Sequence, residues 1–227
     1  MQQLPLGVRL RDRASFASFV AGTNALAVRE VGALAAGGRG VVWLHGAAGA
    51  GKTHLLQAAC ARAAEDARAG YLPLREFARD DAALLDGWHG LDCVCVDDLQ
   101  LVAGQRPWDE ALFRLHRDID ERGARLIVAA SAPPGALPWV LPDIASRFAA
   151  AAIFALQPLD EAGRMQALRL RAQLRGVDLP DETVRFLQRH YPRDMQTLYR
   201  LLDTLDDAAL AAQRRLTVPF VRDVLGG

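Results

Sequence analysis

Lysine is almost absent from this sequence: of its 27 basic residues 26 are arginine, and Lys52 stands alone. Surplus charge of either sign is missing too, because 27 acidic residues balance the basic ones. A chain without excess positive charge has no long-range attraction for phosphate polymers or anionic membranes. That excludes strong non-specific binding to either and leaves room only for a local basic patch. Cysteine is scarce: Cys60, Cys93 and Cys95 are odd in number and sit in apolar surroundings, so free buried thiols are expected and not a disulfide framework. Long apolar spans are lacking as well. The uncharged run from Leu126 to Pro142 is broken by Pro133, Pro134 and Pro138, which a membrane-spanning helix would not tolerate. Arg9, Arg11 and Arg13 follow the first apolar residues and do not precede them, so no export signal is expected and the location implied is the cytoplasm.

What is present is an ordinary globular balance over 227 residues, 51% apolar and 24% charged, enough for one large domain with a small appendage. Short apolar runs at Val41–Leu44, Leu91–Val96, Leu126–Ala130 and Ala151–Leu156 predict strands, and Ala69–Pro73 reads as a turn into another. Between them Leu55–Arg68 and Trp108–Glu121 have helical spacing, the second closed by Gly123. Strands apolar on both faces, alternating with helices, predict a parallel sheet covered by helices on both faces. Cys93 and Cys95 should place both sulfurs on one face of their strand. Beyond Pro158 only helices are expected: Asp160–Arg175 with Leu159, Met165, Leu168 and Leu174 inward, Asp181–His190, Pro192–Asp206, and Thr217–Leu225 capped by Thr217. The division expected is residues 13–157 as an α/β core and 158–227 as a small all-α domain.

Chemistry enters at Gly46-Ala47-Ala48-Gly49-Ala50-Gly51-Lys52-Thr53, a phosphate-binding loop flanked by a predicted strand and a predicted helix. Glycines let successive N–H groups turn inward around a phosphate, and the helix beginning near Lys52 adds its positive end. Lys52 would bridge the β- and γ-phosphates while the Thr53 hydroxyl ligates Mg²⁺. The strand ending in Asp97-Asp98 supplies the second half. Asp97 would hold Mg²⁺ through its water shell and Asp98 would polarise an attacking water, with helix N-capping as the competing role for either carboxylate.

A P-loop core followed by a helical lid resembles the AAA+ ATPases. That resemblance makes Ser131 the sensor 1 residue, Arg147 in Ser146-Arg147-Phe148 the finger that enters a neighbouring nucleotide site, and Arg193 in Pro192-Arg193-Asp194-Met195 the sensor 2 arginine. An ion pair with Asp143 is the alternative for Arg147, and pairing with Asp194 for Arg193. Phe16-x-x-Phe19-Val20-x-Gly22-x-Asn24, the run from Gly51 through His54 to Leu56, and Asp97-Asp98-Leu99-Gln100 are similar to the bacterial replication initiator DnaA. There the first segment lies beside the adenine, so Val20, Asn24 and His54 join the implied nucleotide site.

With the chain ending near residue 227 no sequence-specific DNA-binding domain is expected, and about twenty residues from Tyr71 to the Asp97 strand leave little space for a strand-engaging insertion. Tyr71-Leu72-Pro73-Leu74, Pro192–Leu198 and Ala212–Val221 instead resemble the short DnaA homologues that inactivate the initiator. The resemblance implies ADP or ATP with Mg²⁺ as ligands, and DnaA and the DNA-loaded sliding clamp (the DNA polymerase III β subunit) as partners. It leaves a homodimer open, and implies Arg147 donated in trans to ATP held by DnaA. A loader-type ATPase that hydrolyses its own ATP and a non-catalytic DnaA-binding adaptor are the alternatives. Residues 1–12 are assigned to clamp docking. Gln2, Gln3, Leu4, Pro5 and Leu6 are uncharged with spaced apolar anchors, and Leu4-Pro5-Leu6 matches the end of the clamp-binding motif.

Overall fold

A computed structural model describes residues 14–79, 81–192 and 194–226. Residues 2–6 and Arg193 therefore lie outside the described residues. The chain divides into two compact units: one runs to Phe19 and resumes over Asn24–Leu156, the other joins Val20–Thr23 to Gln157–Gly227.

In the first unit five strands form one parallel sheet in the order β2-β3-β4-β1-β5: β1 Gly40–His45, β2 Ala69–Pro73, β3 Cys93–Asp97, β4 Arg125–Ala130 and β5 Ala152–Ala155. Helices α1 (Ala25–Ala35), α2 (Lys52–Ala63), the short α3 (Leu74–Phe77), α4 (Arg106–Arg122) and α5 (Pro142–Ala149) connect them. The central strands are apolar at successive positions because each feeds two cores. Val42, Leu44, Cys93, Cys95, Ile127 and Ala129 point to the layer of α1 and α2. Trp43, Val94, Val96, Leu126 and Val128 point to the layer of α4 and α5. Both sulfurs of β3 thus share a face, and all three cysteines are free thiols.

Two expectations for this unit need correction. Strand β5 is not buried on both faces, since Ala152, Ile153 and Ala155 are exposed; among the described residues it is an edge strand, paired with β1 alone. Helix α2 starts at Lys52 as expected but ends at Ala63 and does not reach Arg68, because the bonding tightens into turns from Glu65 to Arg62 and Asp66 to Ala63.

The second unit contains α6 (Glu161–Leu174), α7 (Asp181–His190), α8 (Met195–Ala212) and α9 (Val218–Leu225) around Leu168, Val184, Leu187, Leu198, Leu202, Leu205 and Phe220. Asp160 caps α6 through Gly163 N–H at 2.7 Å, and Asp194 caps α8 through Thr197 N–H at 2.8 Å. That second cap, and not Pro192, sets the start of α8. The helix then runs past Asp206 to Ala212, because no breaker intervenes before Gln213 turns left-handed. Leu174 is 59% exposed, not inward: it lies roughly 240° round the helix from buried Leu168. Thr217 precedes α9, but its side chain makes no capping bond. Among the described residues no helix is long and apolar enough to cross a membrane.

Candidate nucleotide site and finger

The phosphate loop is built by what cannot fit as much as by what is there. Gly51 has φ +94°, and a Cβ at this position would lie 2.7 Å from the Phe19 ring. At Gly46, φ is +147° and a Cβ would collide with the Leu156 carbonyl. Only glycine meets both demands, so the chain can turn and lead its N–H groups into α2. Helix α2 has no side-chain cap and no acidic residue in its first turn, so its first N–H groups remain for an anion. His54 fastens the preceding segment: its Nε2 lies 3.1 Å from both Ser18 Oγ and the Ser15 carbonyl, and its ring meets Phe19 edge-on at 5.2 Å.

Lys52 Nζ donates to the carbonyls of Gly46 at 2.6 Å and Ala47 at 3.0 Å. Burial lowers its pKa, against the opposing pull of Asp97 and Asp98. The same lysine, after burial, lowers the pKa of His45. Thr53 Oγ1 donates to Asp97 Oδ2 at 2.6 Å. Asp97, 3% exposed, also accepts from Tyr71 OH at 3.0 Å and from Asp98 N–H at 2.9 Å. Burial raises the Asp97 pKa, opposed by the Thr53 hydrogen bond, and burial followed by the charge of Asp97 raises that of Tyr71. Thr53 and Asp97 are adjacent hard oxygen donors, the chemistry Mg²⁺ prefers, and the residues present fit that ion and a phosphate chain.

Asp98 differs from the expectation. Its backbone is left-handed at φ 57° and its side chain caps no helix. One carboxylate oxygen accepts from Arg75 Nε at 2.9 Å, the other from Gln100 Nε2 at 3.0 Å. Gln100 in turn accepts from Ser131 N–H at 3.0 Å, which ties the end of β4 to the end of β3. Tyr71, Arg75 and Gln100 were assigned no role from the sequence; they are brought in by the β2-β3-β4 neighbourhood. Asn24 is buried at the start of α1, whereas Val20 falls in the other unit.

Arg147 sits on α5, in the helical layer opposite α2. Among the described residues it has no ion pair, with Asp143 or any other carboxylate; its guanidinium lies over the Phe113 ring at 4.6 Å. Next to it Phe148 is fully buried against Trp43 at 5.0 Å, His116 at 5.4 Å and Trp139 at 5.7 Å. Burying such a ring is worth about 1.5–3 kcal/mol, which anchors the backbone that carries Arg147. Stacking occupies the face of the guanidinium and leaves its in-plane N–H groups open.

The family model described as the bacterial DnaA ATPase domain matches residues 10–155, and that of the Hda lid domain matches residues 160–225. Among solved structures, domain III of the Thermotoga maritima replication initiation protein DnaA has a TM-score of 0.80 at 20% identity, covering 95% of this chain and 97% of that one. AMPPCP-bound DnaA from Aquifex aeolicus gives 0.70 at 22% identity, covering 86% and 66%. The Thermotoga maritima RuvB Holliday junction branch migration motor gives 0.63 at 16%, covering 93% and 73%. At these identities the structures show a shared fold, and the family models carry the assignment further. The chain belongs to the DnaA-related AAA+ family, and its lid is of the Hda type.

Proposed function

We propose that this protein binds ADP or ATP with Mg²⁺ and, docked on the DNA-loaded sliding clamp, places Arg147 beside ATP held by DnaA to accelerate its hydrolysis, so limiting re-initiation of replication in the cytoplasm. The observation that carries the reading is the state of Arg147. An arginine fixed by ring stacking, with no carboxylate partner among the described residues, is prepared to grip an oxyanion that the chain itself does not supply. Its own nucleotide would be held by the loop Gly46–Thr53 and Lys52, with Mg²⁺ at Thr53 and Asp97 neutralising phosphate charge; Ser131 and Arg193 keep their sensor roles in this reading. Asp98, the residue proposed to polarise water, has both oxygens already engaged by Arg75 and Gln100. That geometry favours weak turnover of the chain's own nucleotide over the loader-type alternative. Clamp docking is assigned to Gln2, Gln3, Leu4, Pro5 and Leu6 on their sequence pattern alone.

The deciding experiment measures hydrolysis of DnaA-bound ATP with this protein, with and without DNA-loaded clamp. Clamp-dependent stimulation that disappears on removing residues 1–6 supports the reading. Binding to DnaA without any stimulation makes the protein a passive adaptor, and vigorous hydrolysis without DnaA makes it a loader-type ATPase.

A further inference from the structure

We propose that the lid unit carries a second anion site, lined by Arg164, Arg185 and Arg189, that takes a phosphate ester. It goes beyond the nucleotide reading and shares no residue with the loop Gly46–Thr53. A cavity of about 250 Å³ is bounded by Glu161 and Arg164 of α6 and by Arg185, Gln188 and Arg189 of α7. Among the described residues none of these three arginines has an ion-pair partner, although Glu161 lines the same cavity. Elsewhere in the unit Arg200, Arg215 and Arg222 also lack ion pairs among the described residues, but four arginines are paired. Arg169 meets Asp181 at 2.8 Å, Arg171 meets Asp203 at 3.0 Å, Arg175 meets Asp203 at 2.9 Å and Arg214 meets Asp223 at 3.8 Å.

Three details make the arrangement costly for an empty surface. Arg185 and Arg189 are one turn apart on α7, a spacing at which like charges repel. Arg164 closes the first turn of α6, the end where the helix dipole disfavours a cation. Its guanidinium donates once to the Leu159 carbonyl at 2.8 Å, yet its Nε is buried with no partner among the described residues. A bound anion would relieve the first two.

The chemistry points to phosphate over carboxylate. One guanidinium fork satisfies one carboxylate, whereas two forks on α7 and a third guanidinium charge on α6 suit a tetrahedral group with several exposed oxygens. The cavity exceeds a bare phosphate and leaves space for an attached sugar. Gln188, tethered by its amide N–H to the Glu161 carbonyl at 3.4 Å, and the Glu161 carboxylate can take a hydroxyl there. The phosphate belongs either to a small ester or to a nucleic-acid backbone.

The test uses the full chain saturated with ADP, so that the phosphate loop is filled. Titration calorimetry with inorganic phosphate and ribose 5-phosphate, and anisotropy with short single-stranded and duplex DNA, compare wild type with Arg185→Gln/Arg189→Gln. Both residues are exposed, so the fold is retained. Affinity should drop by at least about tenfold in the variant, and Arg185→Lys/Arg189→Lys should keep part of it, having charge without the fork. Loss confined to the small anions identifies a free ester; loss for DNA with a shallower salt dependence identifies a backbone. Unchanged phosphate affinity in the variant, competition by ADP, or tighter binding of a Glu-rich peptide through the same arginines overturns the proposal. Because Lys52→Ala removes only the other site, phosphate binding that survives in that variant separates this result from the fate of the nucleotide reading.

Discussion

The two helical layers of the core treat their polar groups in opposite ways. On the α2 side Lys52 donates to Gly46 and Ala47, Thr53 to Asp97, and Tyr71 to the same carboxylate. On the α4 and α5 side, among the described residues, Arg147 has a ring beneath it and no carboxylate, and His116 Nδ1 is buried without a partner. The first layer is a cradle whose parts already hold one another, so it can stay shaped while a ligand comes and goes. The second presents a cation whose N–H groups remain open. Holding requires satisfied groups, and presenting requires an unsatisfied one that is nevertheless fixed.

The largest break in this contrast should come from Arg147→Ala. Arginine fingers are worth on the order of 10³–10⁵ in rate, so stimulation of DnaA-bound ATP hydrolysis should fall by that order while the variant keeps its own ADP affinity. Arg147→Lys should recover little, since a point charge lacks the fork. If the alanine variant stimulates like wild type, Arg147 is structural. Next in size is Lys52→Ala, which removes the central donor of the cradle. Wild type should gain about 2.7 kcal/mol when ADP reaches a hundred times its Kd, seen as a rise in Tm. That gain should vanish in the variant while stimulation by Arg147, where DnaA supplies the ATP, declines less. ADP-dependent stabilisation that survives would remove Lys52 from the site.

The cradle was far more legible than the presentation. Gly46 to Thr53 and Asp97 are readable because a local backbone pattern and a strand end carry them. Arg75 and Gln100 reach Asp98 only because β3 lies between β2 and β4, an order that local periodicity does not encode. Tyr71 bonds Asp97 across 26 residues of sequence for the same reason. Phe113 was hidden differently: a phenylalanine on the amphipathic helix α4 reads as core, and its half-buried ring becomes a platform only when α5 packs beside it. The membership of Val20–Thr23 in the lid unit and the exposure of β5 likewise depend on long-range packing.

Phe113 offers the sharper test of how presentation works. A cation–π contact of this kind is worth about 0.5–2 kcal/mol, or roughly 2- to 30-fold. Phe113→Leu should therefore lower the maximal stimulated rate by that factor while Phe113→Tyr, which keeps the ring, stays near wild type. Equal loss in both variants would mean that Phe113 contributes bulk and no platform.

The smallest effect expected concerns His116, one turn along α4 from that ring. Its pKa is lowered from the ordinary 6.5, first by burial and then by the charge of Arg147, with Asp120 pulling the other way. The unfolded chain therefore takes up this proton more readily than the folded one. Stability is full above pH 6.5 and is lost as the pH falls from there through the folded-state value. His116→Phe keeps a ring against Phe148 and has nothing to titrate, so its Tm should fall less than that of wild type between neutral and mildly acid pH. The gap should be roughly a few degrees at most, as one titrating group in a chain of this size allows. Arg147→Ala should narrow the same gap, because the neighbouring positive charge is gone. Parallel Tm curves for wild type and His116→Phe across this range would show that the imidazole does not titrate there, and that burial beside Arg147 leaves no acid-sensitive group in the layer at this position.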